Sequence, residues 1–504
     1  MNVRLKGLLM AAILSLFGSM VLSMLQVNAQ VSEEHVYYGY VPPSTNVAQW
    51  LTIEDIPRPG EVDEVIRGEK INYTVPSGVA ILDIAGLVDG TSIEIWDIYA
   101  NQKLHSTTIN KFEKKFFYIN FGTFFKIVAS QRIAALLNGG GNLFADGSVS
   151  GTSTFYPSVT GGFRGNEFIF VAAPGTHPYA YSKDRIGYNF YLMALEETDW
   201  TLADAAGIWS TNEHLRQRAT RTTIIQSRIH HLALHNGAGN DVVFHLTTSS
   251  DVEVSCCALG DFVAVPAITG GYIGRLFCAP IAVTLEESSR TAVFIILPLE
   301  EGQVKIYDKD LNVIATHSFT ANDVEEIYYW YHELGIGRFD LIAESTGDIA
   351  FMVGQTEGVK EIGYLGDDIA LIGSRPGQEI RFYAPTMAVL FAPETLTVTI
   401  DGAPPLQMAK DDFRLLESGA HSISSNKHII VEILAAGGGG TATQWDDWGS
   451  YLIEPADADA SFEVPQGFLS KPVDYTMYIA GAAVAAIVVV LAVFVMRRKR
   501  AQPV

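Results

Sequence analysis

Phe168-Ile169-Phe170-Val171-Ala172-Ala173-Pro174 is the stretch on which the reading of the fold turns, because it returns three times. The later copies are Leu276-Phe277-Cys278-Ala279-Pro280, Arg381-Phe382-Tyr383-Ala384-Pro385 and, more loosely, Tyr451-Leu452-Ile453-Glu454-Pro455. The closing prolines lie 106, 105 and 70 residues apart. Upstream of each copy stands a second shared element, an apolar run, a Ser-bearing polar turn, a second apolar run and a glycine. It reads Lys126 to Ser130 then Ile133 to Gly139, and His245 to Ser250 then Val252 to Gly260. Leu341 to Ser345 then Ile349 to Gly354, and His421 to Ser425 then Ile429 to Gly437, are the third and fourth. A third element, Ile95-Trp96-Asp97 and Ile306-Tyr307-Asp308, is followed in each case by a turn and a His-Ser pair, His105-Ser106 or His317-Ser318. Self-similarity at a fixed period marks an array of supersecondary units.

Within each unit the apolar runs are short, β-branched or aromatic, and separated by Gly, Asn, Asp or Ser, as in Thr291 to Leu297 and Gln303 to Tyr307. That pattern predicts an all-β chain, with about seven short strands per repeat suiting tandem β-sandwich-like repeats. A β-propeller built from the same repeats is the alternative, since apolar strands alone do not fix closure. The repeats divide the chain into 76–175, 176–281, 282–386 and a shorter 387–455. Outside the membrane segment few helices are expected, and Leu195 to Trp209, with room for one or two helical turns, is the main exception. Pairing about a hairpin at Asn236 to Asn240 would set His231 opposite His245, a pair without a third metal ligand.

The ends have a different character. Met1 to Ala29 carries Arg4 and Lys6, no acid, an apolar run from Leu8 to Leu25 and a small-residue end, the order of a signal peptide cleaved before Gln30. Residues 30–75 read as an extended leader. Tyr475 to Met496 holds no charge, and 22 residues of helix reach about 33 Å, enough for a ~30 Å hydrocarbon core. Arg497-Arg498-Lys499-Arg500 follows at once and predicts a cytoplasmic tail, 497–504. Residues 456–474, with Pro465 and Pro472, read as a stalk. The expected topology is a single-pass cell-membrane protein with the bilayer as partner, N-terminus outside.

The chain has 34 basic and 56 acidic side chains; the signal and tail hold six of the bases, leaving the rest near −28. So acidic a surface repels nucleic acid, which excludes that partner class. Three cysteines, Cys256, Cys257 and Cys278, are too few for a disulfide-built scaffold. One of the vicinal pair could bridge to Cys278, or all three could be small buried hydrophobes. Asn72-Tyr73-Thr74 is a glycosylation sequon.

Catalytic signatures are missing from the sequence: there is no G-x-S-x-G, H-E-x-x-H, phosphate-binding P-loop or C-x-x-C. Asp308-Lys309-Asp310-Leu311-Asn312 begins like a calcium loop, but Val313 and Phe319 stand where the turn glycine and bidentate Glu belong, so a hairpin turn is expected. Neither an enzyme nor a cofactor is expected. Tyr328 to Tyr331 aligns with Phe116-Phe117-Tyr118 as a repeated strand. Trp445-Asp446-Asp447-Trp448, aromatic and acidic in a glycine-rich loop, is the candidate recognition site, for a surface polysaccharide or an envelope protein.

The Ser-bearing strand pair, the glycine loop, Tyr156-Pro157-Ser158 and the aromatic strand together resemble the β-repeats of IgGFc-binding-like surface and secreted proteins, over Pro76 to Pro455. The resemblance is one of repeat style and implies adhesion or matrix interaction; it transfers no functional residue. It leads to the expectation of a structural or adhesive envelope protein, possible surface-layer association included, with a ligand- or polysaccharide-binding receptor second and a surface hydrolase third.

Overall fold

The computed structural model describes residues 34–41, 51–52, 70–71, 78–138, 155–172, 175–176, 186–205, 207, 210–217, 220–225, 242–256, 263–266, 271–283, 290–308, 310–321, 325–330, 337–354, 369–384, 387–434, 450–453, 467–471, 484–485 and 487–492. The described residues are mostly β-strands, paired in several antiparallel sheets.

The fourth unit shows the plan most plainly. One four-stranded sheet runs in the order Glu379–Ala384, Gly419–Ser425, Leu396–Ile400, Leu406–Met408. The other runs Ile369–Ser374, Ile429–Leu434, Met387–Phe391, Phe413–Leu416. Alternate residues of both sheets, among them Ile380, Phe382, Val398, Leu390 and Val431, share one core. This is the inward–outward alternation of a half-buried strand.

The same order recurs three more times. In the third unit a single strand, Gly337–Gly354, serves both sheets: its first part lies between Ile273–Val283 and Gly302–Asp308, its second between Val263–Ala264 and Arg290–Pro298. In the second unit Val242–Cys256 does likewise, with Arg164–Ala172 and Thr198–Asp204 beside its first part and Ile186–Ala194 beside its second. In the first unit the sheets are His35–Tyr40, Phe124–Ala129, Thr91–Asp97, Gln102–Ile109 and Ser450–Ile453, Ile133–Asn138, Val79–Gly86, Lys114–Asn120.

The recurring polar turn in the sequence is the corner where the chain passes from one sheet to the other. There a side-chain oxygen accepts a hydrogen bond from the second residue of the neighbouring strand. Ser130 Oγ receives Ser92 N at 3.0 Å, and Ser249 Oγ receives Asp199 N at 2.9 Å. Thr346 Oγ1 receives Gln303 N at 3.0 Å, and Asn426 Oδ1 receives Thr397 N at 2.8 Å. A Ser, Thr or Asn is required because these short side chains reach nearby backbone groups. The Asp308 turn is the hairpin expected, with Asp308 Oδ1 accepting from Asp310 N at 2.9 Å and Asn312 N at 2.8 Å.

Three expectations need correction. His35–Tyr40, within the stretch read as a leader, is a strand paired along Phe124–Ala129. Thr198–Asp204, inside the stretch expected to be helical, is a strand whose Thr198, Trp200, Leu202 and Asp204 point inward. His245 cannot face His231 in a ladder, since Ile169 occupies one edge of its strand and Ala203 the other.

The packing between units closes on itself. Ala85, Leu87 and Leu136 of the first unit join the core of the second. Met193 and Leu195 of the second pack with Cys278, Leu311 and Ile342 of the third. Tyr272 Oη of the third donates to Leu371 O at 3.0 Å, and Arg381 Nη1 of the fourth to Pro298 O at 2.6 Å. Leu371, Phe391 and Ile430 of the fourth share a core with Tyr37, Ile84 and Phe125 of the first. In the C-terminal apolar stretch, Val484–Ala485 and Ile487–Ala492 are helical and exposed, Val490 by 67%. Among the described residues no helix is long and apolar enough to cross a membrane.

Candidate functional site

The seam between the first and fourth units is where the two ends of the β-region meet. Ser450–Ile453 reaches back to pair with Ile133–Asn138, and His35–Tyr40 lies across from it in the same sandwich. Because His35–Tyr40 is an edge strand, its side chains also face the fourth unit. Tyr38 Oη donates to Asp411 Oδ1 at 2.8 Å, and Lys126 Nζ reaches the other oxygen of that carboxylate. Tyr40 N donates to Glu432 Oε2 at 2.6 Å, so this fully buried carboxylate meets a backbone donor. Burial, with Asp411 second, holds the Tyr38 hydroxyl well above its ordinary range, and burial beside Glu432 raises that of Tyr40. The Tyr38 hydroxyl is therefore a neutral donor to Asp411.

Outward from these contacts runs an aromatic ladder. Tyr40 stacks on Phe124 at 4.5 Å between centroids, and Phe124 on Phe413 at 3.8 Å with the planes 12° apart. Phe413 meets Tyr99 at 6.4 Å and 57°. Tyr99 is 81% exposed. It sits in the hairpin turn after Asp97, whose Oδ1 accepts from Ala100 N at 2.8 Å. Nearby, Lys103 Nζ lies 4.9 Å from the centre of the Trp96 ring, and Trp96 Nε1 donates to Glu94 Oε2 at 3.1 Å. The hydrogen bond from Lys103 holds the Glu94 carboxyl below its usual range. A solvent-facing ring backed by stacked aromatics can take the apolar face of a sugar or a flat side chain.

The seam between the second and third units holds buried charge instead. Arg164 and Glu253 are cross-strand partners, both buried, and Cys278 lies within their electrostatic reach. Desolvation pushes the Glu253 carboxyl up to about 8 against the pull of Arg164. Burial likewise raises the Cys278 thiol. Cys278, offered above as half of a disulfide, is a free, buried thiol. Cys257 and the side chain of Cys256 lie outside the described residues, as do Asn72 and the loop Trp445-Asp446-Asp447-Trp448.

Three of the described histidines have acidic partners. His421 has Asp401 Oδ2 at 2.9 Å from one ring nitrogen and Glu417 O at 2.7 Å from the other. His245 Nε2 lies 3.0 Å from Glu167 Oε1, and the exposed His214 sits between Asp199 and Glu197. Among the described residues no group of three or more His, Cys, Asp or Glu side chains could hold a metal ion. The seam residues escaped sequence reading because Tyr38, Phe124 and Asp411 are far apart in the chain. The one local signal was the turn after Ile95-Trp96-Asp97, matched by that after Ile306-Tyr307-Asp308.

No family model matches the chain, and no curated protein does. Among solved structures, HutD from Pseudomonas fluorescens is similar to 32% of the chain over 79% of its own length, at 11% identity and a TM-score of 0.13. YhaK from Escherichia coli is similar over 33% of this chain and 87% of its own, at 10% identity and a TM-score of 0.13. A triple jelly roll protein of an archaeal virus turret covers 62% of this chain and 92% of its own, at 6% identity and a TM-score of 0.13. Likenesses at that score carry no argument about this chain's fold or function.

Proposed function

We propose that this chain is a membrane-anchored extracellular structural or adhesive protein of the cell envelope, built of four tandem β-sandwiches joined head to tail. The observation that carries the reading is the closure at the first sandwich. Its outer strands come from both ends of the β-region, His35–Tyr40 and Ser450–Ile453, so neither end of the body hangs free. A load-bearing surface protein needs that property, because both ends of the β-region are then held in paired strands. The export-like N-terminus and the apolar stretch Tyr475 to Met496 with its basic flank support a position outside the cell. Partners of this kind are other envelope proteins, in a surface layer or beneath one.

The test is fractionation of cells producing the full chain, followed by tomography of the envelope. Recovery in the membrane fraction, with protease access to the β-region from outside, is the expected result. A chain found in the cytosol overturns the reading.

A second reading, recognition of a surface polysaccharide, is favoured by one observation, the exposed Tyr99 at the end of its ladder. Binding of the β-region to a glycan array, lost in Tyr99→Ala while folding is kept, would move the balance to this reading.

A further inference from the structure

The segment Gly467–Lys471 lies between the last strand and the apolar stretch, where a free stalk was expected. It is instead docked. Gly467, at a φ of 77°, opens a turn closed by Ser470 N donating to Gly467 O at 2.9 Å. That turn aims Phe468 into the seam between the second and third units, where it is 1% exposed among Met193, Leu195, Cys278, Leu311 and Ile342. Leu469 packs beside it. Lys471 Nζ lies 3.5 Å from Asn312 Oδ1, and Asn312 Nδ2 in turn donates to Asp308 Oδ2 at 2.9 Å. The segment is thus held by the hairpin turn of the third unit, far in sequence and in a different sandwich from the strand Ser450–Ile453 that precedes it.

Chain length then fixes what this seam faces. Only Pro472, Val473 and Asp474 separate Lys471 from Tyr475, where the charge-free stretch begins. Four Cα steps span about 14 Å at most. The interfacial layer on each side of a bilayer takes about 5–8 Å of that, from the difference between the core and the full thickness. We propose that the seam between the second and third sandwiches is the face this protein lays against a lipid bilayer, with Phe468 as the plug that sets the orientation. The proposal rests on the reading of Tyr475 to Met496 as a membrane span.

The turn at Asp308 to Asn312 then stands at the headgroups, and its two acids, Asp308 and Asp310, suit a zwitterionic surface better than an anionic one. Tyr99 belongs to the first unit, which meets the fourth at the other seam described above, and serves as the comparison position.

The experiment uses the full chain in phosphatidylcholine vesicles that contain lipids with a nitroxide on the headgroup. In a Cys256→Ser, Cys257→Ser background, Asp310→Cys or Tyr99→Cys carries a fluorescent probe; the buried Cys278 is left in place. The expected result is severalfold stronger quenching at position 310 than at 99. Insertion of a 20-residue Gly-Ser linker between Lys471 and Pro472, a coil of about 25 Å, leaves the plug seated and reduces the quenching at 310 severalfold. Equal quenching at the two positions overturns the proposal, as does quenching at 310 that the linker leaves unchanged. A carbonate wash separates the two levels of failure. A chain stripped from the vesicles refutes the span, and this proposal with it. A chain that stays integral with no excess quenching at 310 refutes the apposition alone.

Discussion

The backbone N–H of Thr397 donates to Asn426 Oδ1 at 2.8 Å, and Asn426 N returns a bond to Thr397 O at 3.1 Å. This reciprocal pair ties the start of one strand to the corner between two others. Ser92 and Ser130 repeat it, with Ser92 N to Ser130 Oγ and Ser130 N to Ser92 O both at 3.0 Å. Asn426→Ala and Ser130→Ala should each lower stability by about 1 kcal/mol, the usual worth of a side chain that caps a backbone donor. Chemical unfolding of each variant checks the figure, and losses below a few tenths would mean that water replaces the corner oxygen.

At the seam of the first and fourth units, Tyr38→Phe removes the donor to Asp411 while keeping the buried ring. Its expected cost is about 1.5–3 kcal/mol, since the hydrogen bond goes to a charged group. Unfolding followed by tyrosine and tryptophan fluorescence measures it. Asp411→Ala should cost more, because it leaves both the Tyr38 hydroxyl and Lys126 without that carboxylate.

Glu253 gives the fold a pH dependence of unusual sign. Its carboxyl is raised from an ordinary 4.5 to about 8 by burial, so the folded chain holds a proton there that the unfolded chain has released. That contribution is fully present below about 4.5 and is lost as pH rises through about 8. The difference in melting temperature between the native chain and Glu253→Gln should therefore change across this window, with the native chain losing more as pH rises. A constant difference from pH 5 to 8.5 would show that Arg164 keeps the carboxylate ionised.

Tyr99→Ala should leave stability within about 0.5 kcal/mol of the native chain, as surface substitutions generally do. Phe125→Ala, at a fully buried position in the first core, should cost about 3–5 kcal/mol. Paired thermal melts test the contrast; a large loss at position 99 would make the ladder a core feature.

Much of this architecture was legible locally. The polar turns that recur at Ser130, Ser249, Ser345 and Ser425 are the corners, and the runs beside them are the strands they join. Legibility stopped where pairing became distant. The closing strand of each earlier repeat pairs in the unit that follows it, and in the first unit that place is taken by His35–Tyr40, at the other end of the chain from the short fourth repeat. Nothing in its neighbourhood marks that strand, which sits next to Pro42, Pro43 and a run without periodicity. Thr198–Asp204 was misjudged for another reason, since its strict alternation around Trp200 was present but lay among Ala and acidic residues that favour helix. Phe468 could not be assigned because a lone aromatic in a Pro-bearing segment has no periodicity to read.

The closure of the first sandwich also governs the order of events during synthesis. A chain emerging N-terminus first delivers His35–Tyr40 early and Ser450–Ile453 last, yet both belong to one sandwich. Until that final strand arrives, the edge of Ile133–Asn138 stays open, and an unpaired strand edge is a template for wrong partners. The second and third units have no such wait, because all their strands are translated together. Maturation should thus begin in the middle of the molecule and finish at the first unit, where a holding chaperone would have the longest work and a truncated product would betray itself by the strand it leaves uncovered.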